Sequence, residues 1–231
     1  MSGGQRRIPS VIVACLLVTC VLGHPSVWAR DDVQTWHGAE VVKRFGSQWE
    51  VAWLPEIRVR DDASQLFYHE YRQGIRWKPS KHLQLGVNYL FVRNESSGKP
   101  LEEHTAELDI TPKVSVGPFD CSLRGRMALR TIQRSAGEEE WQLRVMPKVT
   151  YPTRVIGRSV TPYVADDLFY DDTRGAWNQN RLFLGVSVPM GTRAGANLNL
   201  DVYYMLQSQL GSKRRDWSSN HILGTKLGVK F

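Results

Sequence analysis

Apolar and polar side chains alternate along most of the chain after residue 30. The last eleven residues show this pattern most plainly. Their two faces comprise Leu223, Thr225, Leu227 and Val229 on the apolar side and Gly224, Lys226, Gly228 and Lys230 on the polar side, before the final Phe231. A period of two predicts a β-strand with one apolar and one polar face.

Eleven such segments follow one another, each about ten residues long, and the first, over residues 33–43, alternates only weakly. Short turns and longer polar loops separate them in rough alternation, which is typical of a transmembrane barrel. If the apolar faces meet lipid, the sheet must close so that no backbone edge faces hydrocarbon. The alternative is a soluble sheet with its apolar face on a core. Aromatic residues near segment ends favour membrane interfaces: Trp77, Phe91, Trp141, Tyr151, Tyr170 and Phe231.

Eleven segments do not fit an antiparallel ring. The first strand would run in the same direction as the last, and its start would lie outside the cell. We therefore expect either that the first segment is not a regular wall strand or that our count merges or misses one. The sequence predicts an all-β fold, a closed antiparallel up-and-down transmembrane barrel of about ten strands, with twelve as the alternative.

Residues 1–29 resemble an export signal. Arg6 and Arg7 precede a mostly apolar run over residues 8–22, and small residues up to Ala29 favour cleavage near that position. The run is too short for a convincing spanning helix. We therefore predict two parts, a cleaved signal peptide over 1–29 and an outer-membrane β-barrel domain over 30–231.

A lipoprotein signal ending at Cys15 or Cys20 is the alternative to cleavage near Ala29. With the signal removed, Cys121 is the one remaining cysteine, so we expect no internal disulfide and no metal site. Losing the two signal arginines lowers the formal net charge from +7 to +5. The basic residues are scattered over alternating segments, so we expect no nucleic-acid partner. The chain contains no Gly-rich phosphate loop, and we expect no cofactor.

The face predicted to line the lumen carries charges of both signs. It comprises Glu50, Glu56, Arg58, Glu70, Arg72, Arg76, Glu107, Asp109, Lys113, Arg124, Arg126, Arg130, Arg144, Lys148, Asp201, Lys226 and Lys230. Isolated buried charges are unfavourable, so we expect these groups to be paired or hydrated. Acidic residues of the fifth segment, for example, face arginines of the sixth. Two interpretations stay open: an ion-paired lumen that stiffens the wall, and a narrow pore that weakly prefers anions.

Several motifs, densest after residue 160, point to a known family. They are 166–170 (Asp-Asp-Leu-Phe-Tyr), 178–181 (Asn-Gln-Asn-Arg) with Gly185, 201–208 (Asp-Val-Tyr-Tyr-Met-Leu-Gln-Ser), 217–221 (Trp-Ser-Ser-Asn-His) with Gly224, 76–79 (Arg-Trp-Lys-Pro) and Trp36. Together they resemble the uncharacterised bacterial family called domain of unknown function 2490. The resemblance implies an outer-membrane barrel and no established activity.

Polar residues of the last four strands lie near the external rim if the longer loops face outward: Asp166, Asp167, Asn178, Asn180, Arg181, Gln207, Asn220 and His221. We interpret this cluster as a hydrogen-bonded clasp that orders the loops. The alternative is an envelope-lipid-modifying or hydrolytic site, because His221 has Ser219 and Asn220 beside it. We assign no catalytic residue.

The sequence therefore predicts an outer-membrane protein of Gram-negative bacteria with a narrow, charged lumen, either structural or a small pore. A hydrolytic enzyme is the alternative function. The expected partners are outer-membrane lipid, lipopolysaccharide and the barrel assembly machinery, which would read the terminal strand ending in Phe231.

Overall fold

A computed structural model describes residues 32–60, 64–95, 100–133, 139–211 and 216–231. Within these ranges the chain forms β1 (Asp32–Phe45), β2 (Trp49–Arg60), β3 (Gln65–Ser80), β4 (Leu83–Asn94), β5 (Leu101–Val116), β6 (Phe119–Ile132), β7 (Glu139–Thr150), β8 (Thr153–Val155), β9 (Arg158–Asp171), β10 (Ala176–Arg193), β11 (Ala196–Leu210) and β12 (Trp217–Lys230). In this part of the chain we find no helix with the length and apolar content needed to span a bilayer. The predicted signal peptide lies outside the described residues.

Eleven of these strands pair side by side in a closed ring, and the three-residue β8 pairs only with the start of β9. Neighbouring wall strands are antiparallel, except that β1 pairs with β12 in parallel. A closed ring leaves no wall strand with an unpaired edge. The predicted all-β closed barrel is confirmed.

The predicted number of strands and the purely antiparallel closure are both wrong. All eleven segments counted in the sequence are wall strands, and the weak first one is the regular 14-residue strand β1. The ring closes because β1 runs beside β12 in the same direction, from the pair Asp32–Asn220 to the pair Val42–Lys230. Turns impose an antiparallel arrangement only on strands that follow one another, and no turn joins the first strand to the last.

The two ends of the barrel differ in the length of their connections. One end, here called the turn end, holds Phe231, the β8 hairpin and the short connections 46–48, 81–82, 117–118 and 194–195. The other, the loop end, holds the start of β1 and the strand ends on either side of the connections β2–β3, β4–β5, β6–β7, β9–β10 and β11–β12, which have four to six residues each. The alternation of short and longer connections read from the sequence is therefore present.

Side chains divide between the outer surface and the lumen according to their parity along each strand. Outward-facing Val87, Leu108 and Leu223 are 61%, 56% and 57% exposed. Their inward-facing neighbours Asn88 and Glu107 are buried. The apolar faces predicted from the alternation thus form the outside of the barrel, and the charged faces form its interior.

Aromatic side chains lie on the outer surface near both ends of the barrel. At the turn end, the rings of Trp49 and Trp77 stack with their centroids 5.9 Å apart. At the loop end, Tyr170 and Trp177 make an edge contact at 5.7 Å. Phe231 is half-exposed at the turn end.

Glycines make room for aromatic rings inside the lumen. Trp36, Gly224, Tyr203, Gly185 and Tyr163 form one row across β1, β12, β11, β10 and β9. A Cβ atom on Gly224 would lie 2.0 Å from Cζ of Tyr203, and one on Gly185 would lie 2.4 Å from Cζ of Tyr163. Each ring therefore packs directly against the backbone of a glycine. Any residue with a side chain at that position would occupy the space that the ring fills.

Candidate functional site

Alternating cations and carboxylates form a chain of contacts along the inner face of the wall, from β2 to β6. Arg58 Nη2 lies 3.0 Å from Glu70 Oε2, and Arg72 Nη2 lies 3.0 Å from Glu70 Oε1. Arg72 Nε is 3.0 Å from Glu107 Oε2, and Arg126 Nη1 is 3.0 Å from Glu107 Oε1. Arg126 also binds Asp109. We call Arg58, Glu70, Arg72, Glu107, Arg126 and Asp109 the central ion-pair chain.

A second set of contacts starts from Asp167 on β9, whose side chain is buried. Arg144 on β7 and Arg124 on β6 both donate to its Oδ2 atom, Arg124 at 3.3 Å. The guanidinium of Arg144 lies over the ring of Phe169, 4.2 Å from its centroid. These contacts tie β6 and β7 to β9 through the interior of the barrel.

Trp36 links the two sets. The guanidinium of Arg58 lies 3.6 Å from the centroid of the Trp36 ring, and that of Arg181 lies 5.0 Å from it. Arg181 also lies 4.7 Å from the ring centroid of Phe169. Cations over aromatic faces are attracted by the electron density of the ring.

Taken together, these contacts run around the lumen from Arg124 to Arg126, which are two residues apart on β6, and we call the residues that make them the lumen layer. Its members in order are Arg124, Asp167, Arg144, Phe169, Arg181, Trp36, Arg58, Glu70, Arg72, Glu107 and Arg126. Met205 and Ile222 pack against Trp36 from β11 and β12 and are fully buried. Charged, aromatic and apolar side chains therefore meet in the interior of the barrel.

A small cavity remains within the lumen layer. Its volume is about 110 Å³, well below the several hundred Å³ of a site for a drug-sized solute. Its charged lining comprises Arg58, Arg72, Arg130, Arg144, Arg181, Glu70, Glu103 and Glu107. Arg130 neutralises Glu103 with two hydrogen bonds, of 2.9 and 2.8 Å. The cavity has room for a few water molecules.

The predicted pairing of the fifth segment with the sixth is confirmed, because Asp109 and Glu107 on β5 bind Arg126 on β6. The other predicted lumen charges also face inward. Their contacts are Glu56 with Arg58 at 2.7 Å, Arg76 with Glu40 at 2.7 Å, Asp201 with Lys226 at 3.5 Å, and Lys148 over the Tyr163 ring at 4.1 Å. Most predicted lumen charges thus take part in ion pairs.

Four of the eight predicted rim residues share one row inside the barrel. Asp167, Arg181, Gln207 and Asn220 are cross-strand neighbours on β9, β10, β11 and β12. Arg181 Nε donates to Gln207 Oε1 at 3.0 Å. This row belongs to the lumen layer or borders it.

The other four predicted rim residues do not join that row. Asp166 and Asn180 have outward parity and hydrogen-bond each other across β9 and β10. His221 also has outward parity, and its Nδ1 atom lies 2.6 Å from the Tyr204 hydroxyl. Asn178 donates to Asp171 at 2.9 Å near the loop end. The structure therefore does not bring the eight residues together in one site.

The turn-end half of the lumen opens into a larger cavity, which we call the vestibule. Its volume is about 670 Å³, and its polar lining includes Lys81, His82, Lys113, Ser115, Asp120, Ser122, Lys148 and Thr150. Lys113 Nζ donates to Gln84 Oε1 at 3.1 Å. Among the described residues, neither Lys113 nor Lys148 has a carboxylate within ion-pairing distance.

Cations outnumber carboxylates around the vestibule. In the described turn-end lumen and at its opening, the cations are Arg44, Arg76, Lys78, Lys81, Lys113, Lys148, Lys226 and Lys230, and the carboxylates are Glu40, Glu50, Asp120 and Asp201. Buried Glu50 alone contacts Lys78 at 2.6 Å, Lys230 at 2.8 Å and Arg44 at 3.3 Å. Cations are therefore in excess at the turn end, as they also are in the lumen layer, which contains six arginines and three carboxylates.

Sequence reasoning missed the aromatic and apolar members of the lumen. Met205 and Ile222 have inward parity and could have been found by extending the alternation without regard to polarity. Glu103 was also missed as a lumen charge; it lies near the start of β5, which begins at Leu101, and its side chain binds Arg130. The stacking of Arg58 and Arg181 on Trp36 left no sequence signal, because it joins β1 to β10 through space. Across the described ranges, no group of three or more His, Cys, Asp or Glu side chains could hold a metal ion.

A family model described as "Protein of unknown function (DUF2490)" matches residues 33–218. The resemblance read from the motifs is thereby confirmed for the family, whose description states neither a location nor an activity. No curated protein and no solved structure matches the chain.

Proposed function

Because the chain belongs to the DUF2490 family, whose description assigns no activity, we propose a function from the geometry of its barrel. The protein is an outer-membrane β-barrel of Gram-negative bacteria whose lumen is closed at mid-height, so that it acts as a structural barrel and not as an open pore. The observation that best supports this proposal is that one closed ring of strands has an apolar outer wall and an ion-paired lumen.

The outer wall supports the membrane location. Large apolar side chains on nearly every wall strand are exposed, among them Val87, Leu108, Leu184 and Leu223. Contiguous apolar patches on water-soluble monomers rarely exceed a few hundred Å². Lipid removes the unfavourable hydration of such a surface, and ring closure satisfies the backbone hydrogen bonds that lipid cannot.

The ends of the barrel suit the two membrane interfaces. Trp49 and Trp77 at the turn end, and Tyr170 and Trp177 at the loop end, lie where aromatic girdles occur in outer-membrane barrels. In the usual orientation short turns face the periplasm and longer loops face outward. The terminal β12 and Phe231 would then lie at the periplasmic side, where the assembly machinery would bind them.

The lumen layer supports the proposal that the lumen is closed to solutes. An open pore needs a continuous hydrated path, and the series of residues from Arg124 through Trp36 to Arg126 crosses that path with charge-assisted and cation–aromatic contacts. Arg58, Glu70, Glu107 and Arg126 are all buried. Breaking such contacts to admit a solute would leave buried charges unpaired, which is strongly unfavourable.

Two measurements test the proposal. Cells expressing the full chain are fractionated, and the protein is expected in the outer-membrane fraction, with faster gel mobility before boiling than after. Recovery in the soluble fraction with no change in mobility would contradict the membrane location. In planar bilayers, the folded protein is expected to produce no channel openings; regular conductance steps would contradict closure.

A second candidate, an envelope-lipid hydrolase, is favoured by one observation. Ser219 and His221 share the outward face of β12 near the loop end, and Tyr204 bonds the His221 ring. The test is lipid turnover by purified protein carrying Asn220→Ala or His221→Ala. A loss with His221→Ala alone is expected for an outward site, and unchanged turnover in both variants would eliminate it.

A further inference from the structure

We propose that the vestibule is a binding site for a soluble phosphate-bearing anion that enters from the turn end. The vestibule is a cavity of about 670 Å³, within the range of small-molecule sites. The inference depends on the barrel fold and not on the membrane location.

The first step of the argument is the position of two lysines. Lys113 on β5 and Lys148 on β7 flank Ser122 on β6, so that the three side chains form one inward-facing row. Both ammonium groups line the vestibule. Within the described ranges their near contacts are neutral, Gln84 for Lys113 and the ring of Tyr163 for Lys148.

The second step is the surrounding charge. The charges that act on Lys113 include Lys78, Arg76 and Lys230 together with the carboxylate of Glu50. Those that act on Lys148 include Lys226 and Arg124 together with the carboxylates of Asp201 and Glu40. The Glu50 carboxylate already contacts Lys78 and Lys230, at 2.6 and 2.8 Å. Repulsion among cations that line a narrow lumen is unfavourable, and an anion that binds between them relieves it.

The third step is the kind of anion. Lysine binds phosphate as a point charge, and several separated lysines suit an anion whose charge is spread over more than one oxygen cluster. The lumen layer stops passage beyond the vestibule, so an entering anion is held and not conducted. A phosphate group can come from a dissolved compound or from a lipid headgroup. The vestibule lies inside the ring and not on its apolar outer wall, which favours the dissolved source.

The experiment uses the purified full chain from whichever cell fraction contains it. Inorganic tripolyphosphate is titrated by calorimetry at low salt into wild-type protein, into the double variant Lys113→Gln with Lys148→Gln, and into a control with Lys43→Gln and Arg154→Gln. The control removes two positive charges from the turn end outside the vestibule. Unchanged gel mobility before boiling verifies that each variant is folded.

The wild type and the control are expected to bind with a Kd below about 1 mM, and the vestibule variant at least about tenfold more weakly. Replacing both lysines by arginine is expected to keep the affinity within about threefold, because the charge is retained. Absence of wild-type binding, or equal Kd values for the vestibule variant and the control, would overturn the proposal.

A second arm titrates short-chain phosphatidic acid in detergent. Equal binding by the wild type and the vestibule variant in this arm, with loss in the tripolyphosphate arm, identifies the dissolved anion as the ligand. The reverse pattern would overturn the choice of a soluble ligand. Failure to bind tripolyphosphate would contradict the vestibule proposal and not the membrane location. Recovery in the soluble fraction would contradict the membrane location and not the vestibule proposal.

Discussion

Arg126 binds both carboxylate oxygens of Asp109 across the β5–β6 pair, with Nε 2.6 Å from Oδ1 and Nη2 2.8 Å from Oδ2. Its remaining nitrogen, Nη1, donates to Glu107 at 3.0 Å. One guanidinium therefore bridges two carboxylates inside the barrel, and only 3% of Arg126 is exposed. The stability of the lumen layer depends on this arrangement.

Arg126→Met should lower the free energy of unfolding by about 3–5 kcal/mol, because it leaves half-buried Asp109 without its cation and buried Glu107 with Arg72 alone. The matched control is Arg93→Met, which removes an exposed ion pair with Glu95 and should change the free energy by less than about 1 kcal/mol. Urea unfolding of the folded barrel measures both. Equal effects of the two changes would contradict a structural role for the central ion-pair chain.

Leu108→Arg tests whether the outer wall faces lipid. Leu108 lies midway along β5 and faces outward, so the change should destabilise the barrel in lipid by about 2–4 kcal/mol. Leu66→Arg, at the loop end of β3, should cost less than about 1 kcal/mol because the charge can reach the interface. In a water-soluble barrel both exposed positions would tolerate arginine within about 0.5 kcal/mol, and unfolding in lipid vesicles separates the two cases.

Gly224→Ala should destabilise the barrel by about 1–3 kcal/mol, since the new Cβ atom overlaps the buried Tyr203 ring and forces it to move. Gly86→Ala is the control: its Cβ atom would meet Asp109 at 3.4 Å, an ordinary contact. The fraction of folded protein is followed by gel mobility along a urea series. Equal midpoints for the two variants would show that the aromatic row is not tightly packed.

Closure of the lumen predicts a difference between two inward positions on β6. In a chain with Cys121→Ser, a Ser122→Cys side chain in the vestibule should react readily with a charged, membrane-impermeant thiol reagent added at the turn end. An Ala128→Cys side chain, buried beside the lumen layer, should react at least about tenfold more slowly. Mass spectrometry follows the labelling, and equal rates would show that solvent passes the layer.

Much of this barrel could be predicted from alternation alone. The parity of Leu223 and Lys226, or of Leu108 and Asp109, determines which side chain faces out, because successive residues of a strand point to opposite faces. Consecutive strands joined by short turns also bring Asp109 opposite Arg126, so a cross-strand ion pair follows from the order of segments.

Contacts between distant strands could not be predicted in this way. The parallel pairing of Trp36 with Gly224 joins the first strand to the last, and no turn between them sets the direction. The polar residues after position 160 looked like one cluster because they are close in sequence, yet a one-residue step separates inward Asp167 from outward Asp166. Proximity along the chain is thus a poor guide to a shared site in a strand.

The parallel seam between β1 and β12 also determines where fusions can go. In a ring with an even number of strands both termini emerge on the same side, and a short linker can join them. Here β1 starts at the loop end and β12 finishes at the turn end, so such a linker would have to run the full height of the barrel. Reporters attached before β1 and after Phe231 would lie at opposite ends of the barrel, and circular permutation by simple joining is ruled out by the geometry.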